Sequence, residues 1–194
     1  MNRALAAELI ALRDHDLALR EELARDGSLF DGYHPRMEAV HRANAARLRE
    51  IVAAHGWPGT PLVGAFGAQA AWLIAQHAIG EPAFMRECRD QLALAVAAGA
   101  APAWQLAYLE DRIRVFEGKP QRYGTQLREG ADGRPEPCPI DEPERVEFLR
   151  AEAGLPPLAE VLAKAQPDPP MSPEQKAAKA AAELEWRKRV GWTP

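Results

Sequence analysis

The chain has 194 residues, 47% of them hydrophobic, and a formal charge of −4 with both signs mixed throughout. That length suits one domain with a real hydrophobic core and a short appendage. No basic block or basic-aromatic stripe is present, so nucleic acid is not an expected partner. The longest apolar stretch, Ala65 to Ala78, is interrupted by Gln69, Gln76 and His77, too short and too polar to span a bilayer.

The first residues, Asn2 to Arg25, carry Leu5, Leu9, Leu12, Leu19 and Leu23 at helical spacing and predict an amphipathic helix. They hold early acids and no apolar core ending in a cleavage site, so no secretory signal is expected. Glycine and proline between Asp26 and Pro35 break this helix. A second helix is predicted from Arg36 to Ala54, closed by His55-Gly56-Trp57-Pro58-Gly59. Pro61 to Gly64 reads as a connector. The third helix, Ala65 to Ile79, is apolar nearly all round, the mark of a central element. Pro82 opens a fourth that runs to Gly99, and Pro102 opens a fifth that Gly118 and Pro120 end. Short connections favour antiparallel neighbours.

From Gln121 the pattern changes. Gln121 to Arg128 reads as extended, Asp132-Gly133 as a hairpin turn, and Pro135 to Ile140 as a proline-interrupted returning strand. Glu142 to Ala153 and Pro157 to Lys164 predict two short helices. Gln166 to Pro173 is a Pro-rich linker, and Glu174 to Val190 is a helix with a thin apolar face, expected to attach loosely or to another molecule. The expected fold is therefore mainly α-helical, with one domain over residues 1–165, a small hairpin near 121–140, and a linker and tail helix over 166–194.

Polar residues interrupt three of the apolar stripes. His41 and Asn44 fall in the inward stripe of the second helix, among Met37, Val40, Leu48, Ile51 and Val52. His77 shares a face of the third helix with Phe66, Ala70 and Leu73, flanked by Gln69 and Gln76. Asp111 and Arg112 share a face of the fifth helix with Trp104, Tyr108 and Val115. Buried polar groups are costly without partners, so this pattern marks either a pocket with apolar walls or a satisfied structural network. As a catalytic set, Asp111 would orient His77, His77 would act as general base, and Arg112 or Gln126 would stabilise developing negative charge. Gln76, Gln121, Tyr123, Thr125, Gln126 and Asn44 are the expected substrate-binding residues, for a small molecule or peptide.

No cofactor is expected. His41, His77 and Asp111 could supply two nitrogens and an oxygen to a divalent ion, although no local spacing supports a metal site. Cys88 and Cys138 lie far apart and read as two free thiols in a reducing cytoplasm. Whether the protein is an enzyme stays open. The rival reading is a non-catalytic interaction module, in which the polar cluster fixes the hairpin and a protein partner binds the tail.

These residues also carry a resemblance. His55-Gly56-Trp57-Pro58, Val63-Gly64, Ala71 to Ala78, Tyr108 to Arg112 and Gly118 to Gln126, closed by Pro139-Ile140-Asp141, Arg150 and Gly154 to Leu158, resemble a bacterial family catalogued as a domain of unknown function. The resemblance spans about Glu38 to Leu162 and leaves the first helix and the tail outside. It singles out Gln76, His77, Asp111, Arg112, Gln121, Tyr123, Gly124, Thr125 and Gln126 without naming a chemistry. Glu110 departs from the small hydroxyl residue expected before Asp-Arg.

Overall fold

The computed structural model describes residues 1–30, 32–130, 132–167 and 171–193. The helices are α1 (Arg3–Asp26), α2 (Pro35–His55), α3 (Thr60–His77), α4 (Pro82–Ala97) and α5 (Ala103–Phe116), then α6 (Val146–Glu152), α7 (Leu158–Lys164) and α8 (Pro173–Val190). Between α5 and α6, β1 (Leu127–Glu129) pairs antiparallel with β2 (Pro135–Pro137). The expected mainly α-helical architecture with a small hairpin is thus the observed one.

The local signals act where the sequence puts them. Asn2 caps α1, accepting from the Leu5 amide, and Gly27 ends it in the left-handed region. Prolines open α2, α3 and α4 in their first turns. In α3 the boundary shifts: helical hydrogen bonding starts at Thr60, and the expected connector is a kink at Gly64, whose φ of 71° departs from helical geometry. The helix then ends at His77 rather than Ile79.

Helix α3 is central and touches α1, α2, α4 and α5. Its longest partner is α1. There Gly67 allows the approach, because a Cβ would lie 2.8 Å from Val63 Cβ and 3.3 Å from Ala6 Cα. The main core joins Leu9, Leu48, Ile74, Met85, Leu92, Leu109 and Ile113. A smaller cluster of Leu19, Leu23 and Met37 links the far halves of α1 and α2. One expected inward residue faces out: Phe66 is 74% exposed.

The tail is docked, not loose. Trp186 on α8 packs edge-on against Tyr33 and Phe116, at centroid distances of 5.4 and 5.9 Å. Trp192 stacks on Phe116 at 5.1 Å and donates from Nε1 to the Ile79 carbonyl at 2.7 Å. Arg187 donates to the Val115 carbonyl at 3.0 Å. Both tryptophans belong to the main core. Among the described residues, no helix is long and apolar enough to cross a membrane.

Candidate functional site

The structure separates Asp111 from His77. Asp111 is fully buried on α5 and accepts from the amides of Arg122 at 2.7 Å, Tyr123 at 3.1 Å and Thr125 at 3.0 Å, and from the Thr125 hydroxyl at 3.0 Å. Both oxygens are committed to the loop that precedes the hairpin. Gly124 makes the turn possible: its φ of +66° lies where L side chains are strained, and a Cβ there would meet Leu158 and Ile140. Asp111 is therefore an anchor for the segment 122–125, and neither the His77–Asp111 pair nor a metal set that includes Asp111 is formed.

The rest of that segment closes on itself. Buried Gln121 donates to the carbonyls of Gln126 and Cys138, both at 2.9 Å, and accepts from the Gln126 amide at 2.9 Å. Its backbone bridges Ile140 and thereby ties in the end of the hairpin region. The Gln126 side chain donates to Thr125 Oγ1 at 3.1 Å. Arg150 on α6, only 1% exposed, donates to the Tyr123 carbonyl at 2.6 Å and the Pro156 carbonyl at 2.8 Å. Gln121, Tyr123, Thr125 and Gln126 thus form a satisfied structural network, and none lines the main cavity. Asn44 is also structural, donating from Nδ2 to the Leu12 carbonyl at 3.3 Å and stitching α2 to α1.

His77 instead meets a residue on α1. Asp16, 1% exposed, lies with its Oδ2 2.8 Å from His77 Nδ1 and 3.4 Å from His41 Nε2. The other ring nitrogen of His41, Nδ1, is 2.8 Å from the Tyr33 hydroxyl. The two imidazoles lie 5.0 Å apart between centroids, and Tyr33 stacks on His41 at 5.7 Å. Three helices therefore converge on one carboxylate oxygen: α1 with Asp16, α2 with His41 and α3 with His77.

Burial and charge oppose each other in this cluster. Burial works to raise the Asp16 pKa, but the close imidazoles of His41 and His77 outweigh it and hold the carboxyl well below the usual range. Burial lowers the His77 pKa, and the Asp16 contact only partly restores it. Two buried atoms of the cluster, Asp16 Oδ1 and His41 Nε2, have no hydrogen-bond partner among the described residues.

Arg112 borders this cluster. It donates from Nη1 to the Gln76 carbonyl at 3.1 Å, and its Nε is buried without a partner. Burial pushes its pKa down to about 10, with the positive charge of Arg20 as a second cause. Arg112 in turn lowers the His77 pKa. Gln76 is 3% exposed, and both of its side-chain polar atoms are unpartnered among the described residues.

A cavity of about 510 Å³ opens beside the cluster, with His41 and Tyr33 in its wall. Met37, Ile79, Phe116 and Trp186 give it an apolar side; Arg20, Lys179 and Arg189 give it a basic one. Among the described residues none of these three cations forms an ion pair. Glu183, also at the cavity, is held by Arg187. Helix α8 thus supplies part of the wall.

Asp16, Tyr33 and the α8 residues are what sequence reading missed. A signal for Asp16 exists: it falls four residues after Leu12 and three before Leu19, inside the apolar stripe of α1. Cys88 is buried and Cys138 half-buried, both as free thiols.

A family match spans residues 3–166, described as a family of unknown function. It takes in α1 and with it Asp16, whereas the motif resemblance alone runs from Glu38 to Leu162; it stops short of α8. No curated protein and no solved structure matches the chain. With the match covering most of its length, the chain belongs to DUF6624, a family of unknown function.

Proposed function

We propose that the protein is a small-molecule hydrolase that activates water at the Asp16–His41–His77 cluster. The observation that carries this reading is the sharing of Asp16 Oδ2 by two imidazoles, one of which lines a ligand-sized cavity. A carboxylate held 2.8 Å from an imidazole nitrogen orients that ring for proton transfer. The cations Arg20, Lys179 and Arg189, without ion-pair partners among the described residues, favour a substrate with an anionic group, and the aromatic side favours an apolar body. Arg112, bonded to the Gln76 carbonyl next to His77 and without a carboxylate partner among the described residues, suits the charge that develops on an attacked carbonyl or phosphoryl oxygen. The free thiols fit a cytoplasmic location, which is part of the same proposal.

The test is turnover of a panel of carboxylic esters, amides and phosphoesters by the full chain. Asp16→Asn and His41→Gln are expected to lower turnover at least 100-fold while the circular dichroism spectrum stays unchanged. Turnover that persists in both folded variants, or no turnover of any panel member by the wild type, overturns the reading.

The rival is a non-catalytic module whose tail binds a protein partner. Its structural half has support, since the Asp111 network holds the loop internally. The docking of Trp186 and Trp192 on their own chain favours the first reading over a partner-binding tail. Deleting residues 166–194 tests this: the module reading requires unchanged thermal stability and lost partner capture, and docking requires a lower melting temperature.

A further inference from the structure

We propose that Asp16, His41 and His77 bind one divalent transition-metal ion, through a carboxylate oxygen and two imidazole nitrogens. The inference builds on the cluster used in the hydrolase reading, and names the agent that would activate the water there. It rests on geometry.

Asp16, His41 and His77 each offer one ligand atom within 4.8 Å of the other two. Ligands about 2.1 Å from a common ion are separated by about 3.0 Å in an octahedral and about 3.4 Å in a tetrahedral arrangement. The two distances from Asp16 Oδ2, 2.8 and 3.4 Å, fall close to those edges.

The unpartnered atoms point the same way. Buried polar groups are almost always satisfied, and an exception calls for water or an ion. Here the exceptions are Asp16 Oδ1 and His41 Nε2, on residues 1% and 7% exposed. They belong to two of the three proposed ligands. A cation bound at Nε2 satisfies that nitrogen directly, and a carboxylate that shifts toward bidentate binding satisfies Oδ1.

The surroundings of His41 also fit. A metal-binding histidine usually engages its second nitrogen with a hydrogen-bonding partner, which fixes the ring. The Tyr33 hydroxyl does this at Nδ1 and leaves Nε2 aimed at Asp16. All three ligands stand on long helices packed against one another, so the site is built before any ion arrives. Two imidazoles and one carboxylate suit zinc, manganese or iron(II) and leave at least one position for water. Zinc so held would lower the pKa of a bound water to near 7, beside the cavity where Arg20 offers a cation to an anionic substrate.

The experiment uses the full chain stripped with a chelator and titrated separately with Zn²⁺, Mn²⁺ and Co²⁺ by calorimetry. One equivalent is expected for at least one ion. Asp16→Asn and His41→Gln are expected to weaken binding at least 100-fold, and Tyr33→Phe about 10-fold. X-ray absorption on the loaded wild type is expected to report two imidazoles. No stoichiometric binding of any of the three ions overturns the proposal, as does an absorption spectrum without imidazole ligands. If the ligand variants fail to fold, the absorption spectrum and Tyr33→Phe decide. Metal binding without turnover of any substrate leaves this inference standing and removes the hydrolase reading. Turnover that is unaffected by chelation and needs His41, with no bound ion, does the reverse.

Discussion

Replacing Asp111 with alanine removes the one acceptor that serves three consecutive-loop amides and a hydroxyl. Each buried amide left without an acceptor costs about 1–3 kcal/mol. Arg122, Tyr123 and Thr125 are half-exposed, so water can reach part of the vacated space, and the low end of that range applies. Three amides then give a loss of about 3 kcal/mol. For a chain of this size, 1 kcal/mol moves the melting temperature by about 2–4 °C, so Asp111→Ala should melt about 6–12 °C lower. The assay is thermal unfolding followed by circular dichroism, at several protein concentrations. Below its transition the variant should retain ligand and metal binding, because Asp111 touches neither the cavity nor the Asp16 cluster. A variant that melts within 2 °C of the wild type refutes the reasoning. So does one that stays fully stable and loses binding, since that would restore Asp111 to the site.

Three further outcomes follow from the same geometry. Trp186→Ala removes the ring between Tyr33 and Phe116 and should cost about 3–5 kcal/mol, with α8 becoming the first segment cut in limited proteolysis; equal protease resistance would contradict its seating. Because burial lowers the folded-state pKa of His77 below 6.5, the unfolded chain takes up a proton first on acidification, so metal-free protein should lose stability as pH falls from about 6.5 toward that lower value. Asp16 contributes in a lower window: its stabilisation is present above about 3.8 and is lost as pH falls through its depressed folded value. Melting curves of wild type and His77→Gln from pH 7 to 5 should differ in slope, and parallel curves would count against a depressed His77. Finally, Lys179→Glu combined with Arg189→Glu should weaken an anionic cavity ligand at least 10-fold with little change in melting temperature, since both side chains lie at the cavity without ion-pair partners among the described residues; unchanged affinity would argue against a role for these cations.

Much of the fold was legible because its signals are local. Prolines and glycines mark the helix boundaries, and the apolar sweep of α3 marks the centre. One place was not legible. The tail looked loose because its apolar stripe is thin, yet two large indoles near its end are enough to dock it. An average over a helix face hides a contribution concentrated in two side chains.

The site was half legible. His77 and His41 stand out as polar residues in apolar stripes, and both reach the cluster. Asp111 stands out by the same rule and does something else, because a buried carboxylate is equally well satisfied by backbone amides and by imidazoles. Its neighbours along the chain do not distinguish the two. The distinguishing residue was Asp16, which occupies a leucine position in the stripe of α1 and, among the described residues, pairs with neither Arg13 nor Arg20 of its own helix. Arg20, four residues on, lines the cavity instead, and the carboxylate is answered from α2 and α3. The two histidines, which the sequence reading groups with Asp111, supply that answer. Polar residues in the facing stripes of α1, α2 and α3, taken together rather than helix by helix, carry the pattern to the Asp16 cluster.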